Sequence, residues 1–187
     1  MNRAQGTSPT SFAGAHFALL DGLYLPCVRS KMMLRPAKPT DAGEVAEVFL
    51  AARQHSLSYL PDVHTDEETR IWIRDTVLAA TTVWVVESEG RVVAFLSLHG
   101  DKLEHLYVHP GFHSRGIGTS LLETARSVTA GRLRLYTFAR NEGARRFYER
   151  HGFRAIAFGD DNEEKEPDVL YEWVPTPPED GSKGRGT

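Results

Sequence analysis

A strand, a glycine-bearing turn and a helix follow one another in this chain, and this succession constrains the fold most. The apolar run 103–108 predicts a strand, Pro110-Gly111 ends it, and the turn 113–119 opens a helical pattern. The apolar residues that recur on one face of this helix are Ile117, Leu121, Leu122, Ala125 and Val128. The first N–H groups of a helix lack partners within it and carry the positive end of its dipole, so this layout suits phosphate.

The glycines of the turn narrow the kinds of phosphate loop that it can be. Gly116 and Gly118 carry no side chain that would keep a pyrophosphate from the backbone amides, and Arg115 adds positive charge beside them. A dinucleotide-binding fingerprint needs a third glycine where Leu121 stands, and a Walker loop needs a Gly-Lys-Ser/Thr triplet that the sequence lacks. What remains is Arg/Gln-x-x-Gly-x-Gly/Ala with His113 first, which by itself fits an ordinary strand-to-helix turn equally well.

A second group of residues, 141–153, favours the phosphate-binding interpretation. It contains Asn141, Ala144, Phe147-Tyr148 and Gly152-Phe153 at fixed spacing. Together with residues 106–110 and 113–118, it resembles motifs A and B of the GNAT superfamily of acyl-CoA-dependent N-acyltransferases. The resemblance extends over residues 34–173. It departs from the superfamily at His113, where Gln or Arg usually stands, although a backbone cradle does not depend on that side chain.

The resemblance implies an α/β (α+β) fold. Its central sheet is mixed, mostly antiparallel, with about six to seven strands and about four flanking helices. The fourth and fifth strands splay apart to admit acyl-CoA. The sequence pattern predicts strands at 34–37, 83–87, 91–99, 102–108, 132–137, 153–158 and 169–173.

Two helices are predicted ahead of the second strand. Asp41 and Glu44 are placed as the N-cap and its partner for a helix that runs to about residue 55. Thr65 and Glu68 predict a capping box that opens the next helix, in which Ile73 and Val77 point inward. Another helix is predicted after Asn141, which is itself a favourable N-cap residue.

Composition sets the domain boundaries and the compartment. We predict a flexible N-terminal extension at 1–31, a GNAT domain at 32–174 and a disordered tail at 175–187. The one cysteine, Cys27, lies outside that domain and suits a reducing cytoplasm.

Charge and spacing argue against several classes of partner. A net charge of −3 gives no reason to expect nucleic acid, and the apolar run 17–20 is too short to cross a membrane. His105, His109 and His113 recur every four residues, but Pro110-Gly111 breaks any helix through them, so we expect no metal site.

By the same resemblance, the acyl donor is acetyl-CoA. The turn would bind its pyrophosphate, the backbone at 106–108 would pair with the pantetheine arm, and Asn141 would bond the pantetheine amide. An arginine cluster either meets the remaining phosphates or is a solvated helix face: Arg140, Arg145, Arg146 and Arg150. The predicted donor-binding residues are Leu106, Tyr107, Val108, His113, Ser114, Arg115, Gly116, Ile117, Gly118, Thr119, Asn141 and Tyr148.

Catalysis needs an oxyanion donor, an acid and a base. The resemblance places a backbone N–H near Val108 at the oxyanion, and Tyr148 is the candidate general acid because a phenol, with a reference pKa of about 10, is protonated at neutral pH. Otherwise Tyr148 is a core tyrosine. For the base we rank Glu104 first, His105 second and His99 third, with a water relay as the remaining alternative.

The acceptor wall of the superfamily is formed by the region between the first two helices. Here it offers Tyr59, His64 and Trp72, and His99 could also line the site. Arg53 and His55 belong to the same region. The competing interpretation is that Trp72 packs in the core and the histidines are solvated.

These features together predict an acetyl-CoA-dependent N-acetyltransferase of the EC 2.3.1 class. The primary amine, of a small molecule or a peptide, would attack directly because the domain has no cysteine to carry the acyl group. One alternative is transfer of a longer acyl group. Another is a non-catalytic acyl-CoA-binding sensor or interaction module. Because GNAT proteins often pair, the resemblance also suggests a homodimer.

Overall fold

A computed structural model describes residues 17–20, 23–26, 32–129 and 131–175. The chain divides into two units, Met1–Lys31 and Met32–Thr187. In the first unit, β1 (Phe17–Leu20) pairs antiparallel with β2 (Leu23–Pro26), a hairpin that the sequence pattern did not predict. The rest of the predicted N-terminal extension, including Cys27, and the predicted tail from 176 onward lie outside the described residues.

The second unit is built on one seven-stranded sheet. Its strands are β3 (Met32–Pro36), β4 (Thr82–Ser88), β5 (Arg91–His99), β6 (Lys102–Val108), β7 (Leu133–Phe138), β8 (Arg154–Gly159) and β9 (Asp168–Trp173). They lie in the order β3-β4-β5-β6-β7-β9-β8, and every neighbouring pair is antiparallel except β6 and β7. The mixed, mostly antiparallel sheet expected from the sequence is therefore confirmed.

The helices lie between these strands in the sequence and cover the sheet. They are α1 (Ala42–Ser56), α2 (Asp66–Trp72), α3 (Leu78–Ala80), α4 (Ile117–Val128) and α5 (Glu142–Arg150), with a π-helical segment Ile73–Val77 that joins α2 to α3. The predicted capping box opens α2: the Glu68 N–H donates to Thr65 Oγ1 at 3.2 Å, and the Thr65 N–H donates to Glu68 Oε2 at 2.8 Å. No helix among the described residues is long and apolar enough to span a bilayer.

Asp41 and Glu44 do not form the hydrogen bonds that were predicted to cap α1, so that prediction is wrong. Asp41 precedes the helix, but its side chain caps none of the α1 amides. The Asp41 carboxylate instead accepts from the Lys38 N–H at 2.7 Å and from the Arg35 guanidinium at 2.7 Å. Glu44 accepts from the Val92 N–H on β5. The partners are thus Lys38 in the preceding turn and residues of β3 and β5, because both strands come close to the start of α1.

The hydrophobic core lies on both faces of the sheet. Phe95 and Leu96, adjacent on β5, point to opposite faces and belong to different clusters. One cluster joins α1 and the π-helical segment to the sheet, and it includes the inward residues Ile73 and Val77. The other cluster joins α4 and α5 to the sheet. The predicted inner face of α4 is confirmed except at Val128, which is 50% exposed because the helix ends there.

The parallel pair β6 and β7 touches at one end only. Its one bridge joins Lys102 to Arg134, next to a bond of 2.9 Å from the Arg134 N–H to the Asp101 carbonyl. From there towards Val108 the two strands are not paired. The predicted splay is therefore present, and it leaves an opening in the middle of the sheet.

Candidate active site

A cleft of about 600 Å³ occupies the opening between β6 and β7. The C-terminal end of α1, strand β6, the turn before α4, strand β7 and the start of α5 supply its walls. The residues that line it are Ala52, His55, Ser56, Leu57, Leu103, Glu104, Leu106, Tyr107, Val108, Phe112, His113, Ser114, Gly116, Ile117, Gly118, Thr119, Tyr136, Thr137, Phe138, Asn141, Gly143, Ala144, Phe147, Tyr148 and Arg150. Most of the residues predicted to bind the donor are thus brought together.

The turn before α4 forms a concave backbone at one end of this cleft. Ser114 and Gly116 both have left-handed backbone angles, with φ of 60° and 78°, and α4 begins directly after them. The amides of Ile117, Gly118 and Thr119 belong to the first helical turn and have no carbonyl partner within the helix. These N–H groups, together with the helix dipole, make the turn a site suited to an anion.

The two glycines of the turn differ in what surrounds them. A Cβ atom on Gly118 would lie 3.4 Å from the Phe147 ring and 3.9 Å from Leu106 Cδ2, which is ordinary van der Waals contact. Gly116 has no atom within 4 Å of such a Cβ, so its need for glycine comes from its φ angle alone. Residue 118 therefore lies directly against α5.

Two residues of the predicted cradle turn their side chains away from it. His113 Nε2 lies 2.9 Å from the Val108 carbonyl, so Nε2 carries a proton and donates, and the His113 ring stands edge-on to His55 at 5.5 Å. Arg115 does not line the cleft. Its guanidinium lies over the Phe112 ring at 4.8 Å and donates to the Gly111 carbonyl at 3.2 Å.

The exposed edge of β6 presents backbone donors to the opening. The His109 N–H donates to the Val93 carbonyl on β5 at 2.9 Å. Because backbone groups alternate in direction along a strand, the N–H groups of Val108 and Leu106 face the other way, towards β7. These two amides are therefore available to a molecule in the cleft.

Asn141, just before α5, and Tyr148, within it, complete the cleft. Asn141 caps the helix, with its Oδ1 accepting from the Ala144 N–H at 3.1 Å, and its amide nitrogen remains a donor. Tyr148 is only 7% exposed and packs edge-on against Phe147 and Phe153 at 5.2 and 5.5 Å. Burial, with a smaller effect of Tyr107, raises the pKa of Tyr148 well above the usual range of a phenol. The hydroxyl is thus held in its protonated form.

Known proteins with a similar sequence share this motif region. The family model for the acetyltransferase (GNAT) domain matches residues 79–155. The chain is 29% identical to the peptidyl-lysine N-acetyltransferase YiaC of Escherichia coli K12, over 75% of this chain and 96% of that protein. It is 31% identical to the L-amino acid N-acyltransferase MnaT of the same organism, over 49% of this chain and 59% of that protein.

Solved structures show the same fold. Apo-form YjaB from Escherichia coli superposes with a TM-score of 0.66 at 22% identity, covering 78% of this chain and 99% of that one. YncA from Salmonella typhimurium, solved with its cofactor acetyl-CoA, superposes with a TM-score of 0.60 at 21% identity, covering 78% and 94%. The domain model, the two relatives and the shared fold together support a GNAT N-acyltransferase, which is what the motifs predicted.

The candidate base of this GNAT protein stands at an irregularity in β6. The register with β5 shifts between Ser97 and Leu98, which face His105 and Leu103, so Glu104 is an extra residue. The bulge puts Leu103 in the same core cluster that Leu106 and Val108 pack against. Glu104 nevertheless lines the cleft, where its carboxylate pairs with Lys102 Nζ at 2.9 Å.

His105, the second candidate base, does not line the cleft. It lies among aromatic rings, 5.3 Å from Trp72 and 6.2 Å from Phe49, and its Nδ1 is 2.7 Å from Ser97 Oγ. Burial lowers the pKa of His105 to about 4, so its imidazole is neutral at physiological pH. A neutral imidazole with so low a pKa is a weak base towards an ammonium group.

The predicted acceptor residues lie around the cleft without lining it. His64 donates from Nε2 to Glu163 at 3.0 Å, and the Tyr59 ring lies under the Arg140 guanidinium at 4.3 Å. Trp72 packs on Phe49 at 5.6 Å and is partly exposed, and His99 is exposed where β5 turns into β6. Their role in acceptor binding stays a prediction.

The loop between β8 and β9 meets the α1–α2 region, which the sequence did not predict. Arg53 pairs with Glu164 at 3.0 Å in a largely buried contact. Tyr107 lines the cleft, and desolvation raises the pKa of its hydroxyl to about 12. The carboxylates of Glu163 and Glu164 in this loop thus contact His64 and Arg53 of the region that the sequence predicted as the acceptor wall.

Strand β7 supplies a wall of the cleft that the motifs do not mark: Tyr136, Thr137 and Phe138. Of the arginine cluster, Arg150 alone lines the cleft. Arg145 donates to Tyr171 Oη at 3.2 Å, Arg146 pairs with Glu142 at 2.8 Å, and Arg140 lies over Tyr59. Among the described residues, no group of three or more His, Cys, Asp or Glu side chains could hold a metal ion.

Proposed function

We propose that this GNAT protein transfers the acetyl group of acetyl-CoA to a primary amine by direct attack. The observation that carries the proposal is that an anion-binding turn and the buried hydroxyl of Tyr148 share one cleft between diverging parallel strands. The cradle residues fit a diphosphate because their first-turn amides are unpaired within the helix. The backbone edge at Leu106 and Val108 fits an extended amide-bearing arm.

Acetyl-CoA supplies the acetyl group as a thioester. The residues at the start of α4 hold its diphosphate, and the amide nitrogen of Asn141 donates to the pantetheine arm. The chain's one cysteine, Cys27, is remote in sequence from every motif residue, which supports direct attack by the amine in place of an acyl-enzyme.

The acid and the oxyanion donor act on opposite atoms of the thioester. As the amine nitrogen forms its bond to the carbonyl carbon, the Val108 N–H donates to the oxygen that gains charge. As the carbon–sulfur bond breaks, the Tyr148 hydroxyl gives its proton to the departing thiolate. Because its pKa is raised, the Tyr148 hydroxyl is protonated and can hydrogen-bond to the sulfur as negative charge develops there.

The incoming amine arrives as an ammonium and must lose a proton before it attacks. Glu104 is our first choice as the acceptor of that proton, because its carboxylate lines the cleft on the same strand as the oxyanion donor. A water molecule can bridge from Glu104 to the amine. The nitrogen loses a second proton as the amide forms, and this proton restores the Tyr148 hydroxyl, while the first one passes from Glu104 to solvent.

The acceptor is proposed as a primary amine on a small molecule or a peptide. YiaC and MnaT are named for peptidyl lysine and for L-amino acids, and both classes offer a primary amine. The carboxylates Glu163 and Glu164 at the acceptor side favour a cationic group. A cytoplasmic location and a homodimer complete the proposal, as predictions from the sequence and the resemblance.

A matched pair of variants at Ser114 tests the proposal. Ser114 lines the cleft with φ of 60°, a conformation that both Asp and Asn tolerate. Ser114→Asp puts a carboxylate beside the diphosphate and is expected to weaken acetyl-CoA binding by about tenfold or more, whereas Ser114→Asn leaves binding near wild type. Calorimetric titration measures the affinities, and transfer of labelled acetyl groups to lysine peptides and amino acids measures the activity.

The outcomes separate the alternatives. Binding of acetyl-CoA with transfer to at least one amine supports the proposal. Tight binding without transfer to any amine would favour the sensor, and faster transfer from a longer acyl-CoA would favour the longer acyl group. Equal binding by Ser114→Asp and wild type would contradict the placement of the diphosphate at this turn.

A further inference from the structure

We infer that His151 is a positioning residue for the diphosphate: through the hydroxyl of Thr119, it couples donor binding to the uptake of one proton. This inference rests on the proposed function, because it takes the turn before α4 as the diphosphate site. Thr119 lies in the first turn of α4 and lines the cleft, while His151 follows the end of α5 behind it. His151 itself does not line the cleft, so it acts through Thr119.

Hydrogen bonds determine which nitrogen of His151 carries a proton. His151 Nδ1 lies 2.7 Å from the Phe147 carbonyl, and a carbonyl oxygen can only accept, so Nδ1 carries a hydrogen. In neutral histidine the other nitrogen is then a bare acceptor. His151 Nε2 lies 3.2 Å from Thr119 Oγ1, so the Thr119 hydroxyl must donate its one hydrogen to the ring.

This arrangement leaves Thr119 mismatched to a phosphate. With its hydrogen directed at His151, the Thr119 hydroxyl presents only lone pairs to the cleft, and diphosphate oxygens are acceptors too. When His151 takes up a proton, Nε2–H donates to Thr119 Oγ1. The hydroxyl hydrogen is then released, and it can turn to a phosphate oxygen.

The charged groups around His151 make the ligand necessary for this change. On α4, the Arg126 guanidinium donates to the His151 carbonyl and lies 4.4 Å from the Trp173 ring, and it opposes a second positive charge. Glu123, also on α4, acts electrostatically on Arg126 and partly offsets it. Arg150 precedes His151 on α5 and adds to the opposition, while the Phe147 ring at 4.4 Å and Trp173 of β9 are uncharged. The negative charge of a diphosphate at Thr119 tips the balance towards protonation.

Two other histidines near the cleft are rival sites of proton uptake. His55 and His113 both line it and face each other at 5.5 Å. His113 already donates from Nε2 to the Val108 carbonyl, and neither ring forms a hydrogen bond with a side chain in the described first turn of α4. The test must therefore distinguish His151 from both of them.

The probe is dephospho-CoA, because it keeps the diphosphate but lacks the 3′-phosphate, which itself titrates near neutral pH. Calorimetry in buffers with different heats of ionisation, at about pH 6 to 8 where histidine titrates, counts the protons taken up on binding. Wild type is expected to take up a proton and to bind roughly tenfold more tightly at the acidic end, since one hydrogen bond to a charged acceptor is gained.

Two variants remove the coupling in different ways. In His151→Gln, the side-chain amide donates to Thr119 at every pH, so dephospho-CoA binding is expected to become independent of pH and to proceed without proton uptake. Thr119→Val keeps the branched shape without the hydroxyl, and it too is expected to lose the uptake. His55→Gln and His113→Gln, as matched controls, are expected to retain it.

Several results would overturn the inference. Uptake that persists in His151→Gln, or that disappears in His55→Gln or His113→Gln, assigns the proton to another group. Binding by wild type without uptake refutes the coupling while leaving the proposed diphosphate site intact, and no binding of dephospho-CoA or acetyl-CoA refutes both. If the variants fail to fold, NMR of the wild-type His151 ring decides: dephospho-CoA must move its signals towards the charged form near neutral pH.

Discussion

Tyr148 illustrates how one buried side chain can combine packing with chemistry. Its ring packs edge-on against Phe147 and Phe153, which makes it part of the core that joins α5 to the sheet. Tyr148 also lines the cleft, and burial raises the pKa of its hydroxyl further above neutral pH. A core position is therefore compatible with the acid role, because the buried phenol carries its proton.

Removing the Tyr148 hydroxyl should separate binding from chemistry. Tyr148→Phe keeps the ring and its packing, so acetyl-CoA affinity is expected to remain near wild type. The acetyl-transfer rate constant kcat is expected to fall by roughly 100- to 10,000-fold, the usual contribution of a general acid. Steady-state kinetics with one amine acceptor measures both quantities.

The control for that substitution is Tyr136→Phe, which also removes a phenol from the wall of the cleft. Tyr136 lies on β7 and is largely exposed, so its loss is expected to leave kcat close to wild type. An equal fall in both variants would show that Tyr148 has no special role as an acid.

At the scale of elements, the turn into α4 depends on its first glycine through the backbone. Gly116 has φ of 78°, where a Cβ atom is strained although no neighbouring atom would be touched. Gly116→Ala is expected to lower the free energy of unfolding of the unliganded protein by about 1 kcal/mol. Chemical denaturation measures this change, provided that the free energy of unfolding falls with denaturant concentration at the same slope in both proteins.

Gly43→Ala is the matched control, and its expected effect on the free energy of unfolding has the opposite sign. Gly43 lies exposed in α1, has no left-handed φ and has no atom within 4 Å of an added Cβ. Alanine there is expected to stabilise the protein by about 0.5 kcal/mol, because it has the better helix propensity. A destabilisation of equal size at both glycines would rule out the conformational explanation.

Local sequence patterns predicted the elements whose contacts are local. The Thr65 and Glu68 capping box and the Asn141 cap each join residues three apart, so spacing alone identifies them. Asp41 and Glu44 have the same spacing, but Asp41 bonds Arg35 and Lys38 ahead of it and Glu44 bonds Val92 on a distant strand, which their spacing does not show. The bulge at Glu104 depends likewise on pairing with β5.

At the scale of the molecule, the site combines what the motifs mark with what they do not. The turn before α4 and the start of α5 carry the motifs, and both line the cleft. The β7 wall, the end of α1 and the loop between β8 and β9 have no motif, because their place depends on tertiary packing and on the acceptor. The walls of the cleft that carry the motifs could thus be predicted from the sequence, and the other walls could not.

Stability against acid should depend on the ion cluster that joins β3, α1 and β4. Arg35 bonds Asp41 at 2.7 Å and Glu87 at 3.0 Å, and the bond from Arg35 is the main cause that lowers the pKa of Asp41. A carboxyl with a lowered folded pKa stabilises the protein above its unfolded pKa of about 3.9, and this contribution is lost as pH falls through the folded value.

Asp41→Asn is therefore expected to destabilise the protein by about 2 kcal/mol at neutral pH, with the difference from wild type shrinking below about pH 4. Denaturation across this pH range measures it. Asp75→Asn removes an exposed pair with Arg74 and is expected to change stability little at any pH. A constant difference for Asp41→Asn down to the lowest pH would exclude the ionic explanation.

The divergence of β6 from β7 gives this sheet an edge in its interior. Exposed strand edges are hazardous because another polypeptide can add to them and begin aggregation. A strand that adds to an edge needs both N–H donors and carbonyl acceptors on it, and the His113 ring already bonds the Val108 carbonyl. The edge therefore donates hydrogen bonds to a bound molecule more readily than it accepts them. This favours the narrow pantetheine arm of the acyl donor over another polypeptide strand.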